Sequence, residues 1–100
     1  MNIPPLPHGL TLDQVRKYLE NRKNEFGTLP ALLVAKNVNG IRGMAHRIKG
    51  NAALYGMPEL GLAAGRLVDA ADAGDDWQGV SSAIDALIAR LAEERFRFGG

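Results

Sequence analysis

The chain has no cysteine, and so neither a disulfide framework nor a thiolate metal site. That leaves its redox compartment open, since a thiol-free chain suits reducing and oxidising surroundings alike. Aromatic residues make up only 6% of its 100 residues, so the core must be built mainly from aliphatic side chains. Net charge is almost absent: 12 Lys and Arg stand against 11 Asp and Glu, for a total of +1. This lacks the basic footprint of a nucleic-acid binder. No apolar run approaches the ~18 residues of a spanning helix. The opening MNIPPLPHG carries prolines where a signal peptide has its apolar stretch. Strand signals are missing too, because no β-branched run alternates with period two, and Asn39-Gly40 lies between helical stripes rather than between strands. These absences point to a cytoplasmic, all-helical protein that binds neither nucleic acid nor membrane.

What is present fits one domain, which at this length buries roughly two-thirds of the surface its unfolded chain exposes. Pro4, Pro5, Pro7 and Gly9 make residues 1–10 an extended lead-in, with His8 a solvated histidine within it. Thr11-Leu12-Asp13-Gln14 then reads as a capping box. Leu12, Val15, Leu19, Phe26, Leu29 and Leu33 follow at helical spacing, interrupted only at Arg22. The expectation is one helix over about 11–36, bent or briefly broken near 27–30 where Gly27 and Pro30 fall, with two shorter helices as the alternative.

Asn37 or Asn39 caps the next helix, whose stripe of Ile41, Ala45, Ile48, Ala52 and Tyr55 runs to a terminating Gly56. Pro58 opens a third helix with Leu60, Ala64, Leu67 and Ala71 on its inner face, ending at Gly74. Asp75 or Asp76 caps a fourth, over about 76–96, with Trp77, Val80, Ile84, Leu87 and Leu91 facing inward. The Arg95–Gly100 tail is compatible with packing or fraying. Amphipathic helices joined by short links predict an antiparallel up-down four-helix bundle over residues 11–98.

The second helix is unusual on its outer side. At about 100° per residue, Arg42, His46, Lys49, Gly50 and Ala53 share a polar, small-residue face beside the core stripe. An exposed imidazole is a nucleophile near neutral pH. A cation one turn away can hold the oxygens of a phosphorus electrophile. A glycine beside the cation removes bulk, so that another protein can approach. Gly40, Gly43, Gly50, Gly61 and Gly65 all fall inside helices, where each costs roughly 1 kcal/mol relative to alanine. Gly61, Gly65, Val68 and Asp72 share a face of the third helix that can flank His46 as a shallow docking floor. Close helix–helix packing is the other use of Gly61 and Gly65.

The run Ala45-His46-Arg47-Ile48-Lys49-Gly50-Asn51-Ala52-Ala53, then Tyr55-Gly56, Leu60, Leu67 and Ala70-Ala71-x-Ala73-Gly74-Asp75, resembles the histidine phosphotransfer (HPt) domain family. The match is good over residues 41–75, and Tyr18–Arg22 is similar to the first helix of many members. The resemblance implies a four-helix bundle that relays a phosphoryl group between receiver-domain aspartates. It implies His46 as the phosphorylated histidine, Lys49 as the phosphoryl-stabilising cation, and Gly50 as the small residue that admits the receiver. Arg42, Gly43, Ala53, Gly61, Gly65 and Val68 complete the expected partner surface, with Arg42, Arg47 and Arg66 adding favourable charge toward an acidic pocket.

The resemblance also implies that the chain has no cofactor of its own, Mg²⁺ coming with the receiver. It implies no catalytic turnover, and partnership with response-regulator receivers and a hybrid or sensor histidine kinase. The expected state is a monomer. The chain reads as free-standing, with a module of a hybrid kinase as the alternative. One departure stands out. Some members, chemotaxis-kinase substrate domains in particular, carry Glu or Gln at the position of Val68 to hydrogen-bond the imidazole, and valine cannot accept such a bond. Asp72 or a water is the expected substitute. A receiver-binding adaptor without relay and the phosphoacceptor domain of a chemotaxis-type kinase are the competing readings.

Overall fold

A computed structural model describes residues 3–74 and 76–99. Its elements in chain order are α1 (Leu12–Phe26), α2 (Leu29–Val34), α3 (Val38–Asn51), a 3₁₀ turn (Ala52–Tyr55), α4 (Pro58–Ala73) and α5 (Trp77–Arg97). The described residues contain no strand.

The capping box forms as the sequence predicts. The Thr11 hydroxyl accepts from the Gln14 N–H at 3.1 Å, and the Thr11 N–H donates to Gln14 Oε1 at 2.8 Å. The long first helix is split rather than bent, which is the alternative. The Thr28 hydroxyl donates to the Glu25 carbonyl at 2.7 Å and so satisfies an acceptor at the end of α1. Pro30 then falls in the first turn of α2, where its missing N–H has no intrahelical partner to lose. The stop of α2 was not foreseen. Lys36 takes a left-handed conformation, φ +54°, with its N–H on the Leu33 carbonyl and the Asn37 N–H on the Leu32 carbonyl. That is a Schellman ending built on lysine instead of glycine.

Asn37, not Asn39, caps α3 by accepting from the Gly40 N–H at 2.9 Å. The predicted helix over 38–55 tightens into the 3₁₀ turn after Asn51. Gly56 ends it at φ +81°, with Pro7 of the lead-in packed 3.1 Å from where a β-carbon would stand. The backbone angle favours glycine there, and a β-carbon would crowd the Pro7 ring. Gly74 ends α4 at φ +81°. Asp76 caps α5 by accepting from the Gly79 N–H; the other candidate cap, Asp75, lies outside the described residues.

Around the bundle, α3 packs on α4, α4 on α5, α5 on α1, and α2 on α3. Short turns make α3 and α4, and α4 and α5, antiparallel neighbours. The predicted stripes form the core, with Val15, Leu19, Ile41, Ala45, Ile48, Leu60, Ala64, Leu67, Ile84 and Leu87 all buried. Arg22, the break in the first stripe, lies over the Tyr18 ring at 4.8 Å, and Tyr18 in turn stacks on Tyr55 at 4.1 Å. Burial pushes the Tyr18 phenol up in pKa, with the neighbouring Arg22 acting in the opposite sense. Glu94 is a buried carboxylate on α5, and its Oε1 accepts from Arg90 at 2.9 Å and Arg97 at 2.6 Å.

Up to Gly99 the tail packs instead of fraying: Phe98 is fully buried, and its carbonyl accepts from Arg16 Nε at 2.9 Å. Phe96, two residues earlier, is 72% exposed. Phe98→Ala is therefore expected to cost about 3–5 kcal/mol in urea denaturation, and Phe96→Ala about 0.5 kcal/mol or less. Equal losses would contradict this placement of the tail.

Candidate functional site

The inner side of α3 fixes what its outer side shows. Ile41, Ala45, Ile48 and Ala52 are held at 0–1% exposure, so the helix cannot rotate without lifting core residues into water. His46, next to fully buried Ala45, is thereby held in solvent, and Arg42, Lys49, Gly50 and Ala53 are exposed with it. Among the described residues His46 has no side-chain hydrogen bond and no carboxylate within ion-pair distance. Its ring is open to an incoming electrophile.

Lys49 is exposed but guided. Its aliphatic stem lies over α4 at Gly65, with Cδ, Cε and Cγ at 3.6, 3.7 and 3.8 Å from where a Gly65 β-carbon would stand. Gly61, one turn earlier, has a different task. A β-carbon there would meet the Lys49 carbonyl at 3.5 Å and the Ala52 methyl at 3.6 Å, so Gly61 governs how closely the α3 backbone approaches α4. Gly50 has nothing within 4 Å of its missing side chain. Gly43, half-buried, has only the Arg47 guanidinium at 4.0 Å.

Two expectations need correction. Val68 is 4% exposed and belongs to the core, so its side chain cannot contact a docked protein. It lies on the inward edge of the α4 face that Gly61 and Gly65 share. Asp72 does not orient the imidazole; it pairs with Arg42, Oδ1 to Nε at 2.5 Å, tying α4 to α3 one turn before His46. The Asp72 hydrogen bond, and after it the Asp72 charge, raises the Arg42 pKa above its already high ordinary value. Arg47 points the other way, to Glu25 of α1 at 3.1 Å.

Beside Lys49 runs an open groove of about 550 Å³, floored by Gly61 and Gly65 and walled by Ala53, Pro58, Leu62 and Arg66. Leu62 is 54% exposed, and Leu54 of the 3₁₀ turn is 69% exposed. Neither was singled out from the sequence. The available signal was a leucine standing off the core stripe of a helix otherwise patterned cleanly. The site thus combines one open imidazole, one lysine whose stem is seated on α4, a bare backbone and an apolar margin. Among the described residues, no cluster of three His, Asp or Glu side chains could hold a metal ion. A second, more apolar groove of about 330 Å³ lies between α1 and α5, along Phe26, Pro30, Ile88 and Leu91, and contains none of these groups.

The model of a family described as Hpt domain matches residues 9–94 of the chain. No curated protein and no solved structure matched it.

The open space at Gly50 makes its own prediction. Gly50→Ala is expected to raise stability by about 1 kcal/mol, because a methyl group there meets nothing and favours the helix. A fall in stability on chemical denaturation would show that this face is closed.

Proposed function

Because the chain belongs to the Hpt domain family, we propose that it accepts a phosphoryl group on His46 from a receiver-domain aspartate and passes it to another receiver. The observation that carries this reading is the exposed imidazole of His46 with Lys49 one turn away, its aliphatic stem seated over Gly65. In the accepting step an imidazole nitrogen attacks the phosphorus of an aspartyl phosphate. The acyl P–O bond breaks, a P–N bond forms, the aspartate leaves as carboxylate, and the ring proton goes to water. Reversal on a second receiver completes the relay.

Phosphoryl transfer depends on in-line placement and charge neutralisation. Lys49 supplies a positive charge beside the phosphoryl oxygens, and its seat on Gly65 limits the conformations it must lose to do so. Gly50 clears the approach of the receiver's reaction pocket. Leu62, with the groove beneath it, offers apolar surface to bury on docking. Mg²⁺ belongs to the receiver's acidic pocket. This chain brings a nucleophile and a shaped surface, which makes it a phosphocarrier with no turnover of its own.

No helix among the described residues is long and apolar enough to cross a membrane. We place the relay in the cytoplasm, with a hybrid or sensor histidine kinase upstream and the chain acting as a monomer. Val68, where some members and chemotaxis-kinase substrate domains in particular carry Glu or Gln, supports a relay protein over a chemotaxis-type phosphoacceptor domain.

The test is transfer from a panel of phosphorylated receivers. Wild type should acquire an acid-labile, alkali-stable label. His46→Gln should acquire none while its melting temperature stays within about 3 °C of wild type. Binding without label would favour an adaptor. Gly50→Glu should slow transfer by about tenfold or more, through bulk and like charge facing an acidic pocket. An unchanged rate would put the interface elsewhere.

A further inference from the structure

The Arg42–Asp72 pair is left over from the site just described. Arg42 precedes His46 by one turn on α3, as Lys49 follows it by one turn, and residues at these spacings are neighbours on a helix surface. At about 100° per residue, Arg42 and Lys49 both stand on the α4-facing flank of His46. Each is directed by α4, Lys49 by its seat on Gly65 and Arg42 by the Asp72 carboxylate. The two attachments differ in kind. Lys49 has no carboxylate within 4 Å among the described residues, whereas Arg42 is already neutralised.

We infer that Asp72 is a positioning residue that holds Arg42 over α4 while His46 is unmodified, and that the phosphoryl group, once on His46, draws Arg42 away from Asp72. The inference rests on the reading of His46 as phosphoacceptor. The side chains of Arg42 and Asp72 are 44% and 51% exposed, so water screens the pair and its partners can exchange. A phosphoryl group brings close to two negative charges and three acceptor oxygens. It offers a guanidinium more charge than one carboxylate does, with the same two-pronged geometry.

The exchange has two consequences for the transfer equilibrium. Before transfer, Asp72 keeps the guanidinium off the imidazole and leaves the attacking nitrogen clear. After transfer, Arg42 stabilises the phosphohistidine, but only by the difference between its new partner and its old one. Asp72 therefore moderates the product's stability and keeps the group transferable onward.

The experiment measures the equilibrium of phosphoryl exchange with a receiver that labels wild type, and labelling by phosphoramidate as a small donor that needs no docking. Four proteins are compared: wild type, Asp72→Asn, Arg42→Ala and the double variant. Asp72→Asn should shift the equilibrium toward phosphohistidine by about three- to tenfold, and Arg42→Ala away from it by a similar factor. In the Arg42→Ala background, Asp72→Asn should change it by about twofold or less. The same Asp72→Asn shift with and without Arg42 would overturn the exchange, since Asp72 would then act by simple repulsion. Unchanged equilibria in a wild type that labels normally would overturn the inference alone. A wild type labelled by neither donor would overturn the reading of His46 beneath it.

Discussion

Everything at the functional face depends on how closely α3 and α4 approach. At Gly61 the backbone of one helix meets the other with no side chain between, the Lys49 carbonyl lying 3.5 Å from the absent β-carbon. Ordinary contact at that distance would tolerate a methyl group, but a larger side chain would push the helices apart. Widening the seam would lift the Lys49 stem off Gly65 and stretch Arg42 away from Asp72. The glycines cost helix stability locally, and the packed seam of Leu60, Ala64, Leu67 and Val68 against Ile41, Ala45 and Ile48 offsets that cost. Specificity of position is gained: two cations are guided along one flank of an open imidazole.

The face also shows a division between what is fixed and what is free. The core locks the rotation of α3, and so the direction of His46. The basic side chains are guided by α4 without being buried. No side chain among the described residues hydrogen-bonds the imidazole, and Val68 of α4 is turned into the core. The proposed relay, in which one nucleophile serves two partners in turn, suits this arrangement, because the geometry is then completed by whichever protein docks.

Much of this was legible in the sequence because it is written in local chemistry. The capping box at Thr11, the glycine stops at Gly56 and Gly74, and the helical stripes depend on residues within a turn or two of each other. His46, Lys49 and Gly50 were legible by their spacing on a face whose opposite side is apolar. The features that escaped are those set between helices or against propensity. The sequence offers Asp72 as a partner for His46, and only the packing of α4 on α3 gives it to Arg42. Val68 shares a helix face with Gly65 but falls on its inner edge, a distinction finer than a helical wheel resolves. Lys36 in a left-handed turn has no composition signal. Buried Glu94 is legible only once Arg90 and Arg97 are seen to close on it.

The most direct measurement is the identity of the modified atom. The protein, labelled with ¹⁵N and phosphorylated by a receiver, would be examined by ³¹P and ¹⁵N NMR. One phosphoramidate is expected, its phosphorus coupled to a ring nitrogen of His46, with His8 unmodified. Phosphorus on His8, or an acyl phosphate on one of the chain's own carboxylates, would contradict it.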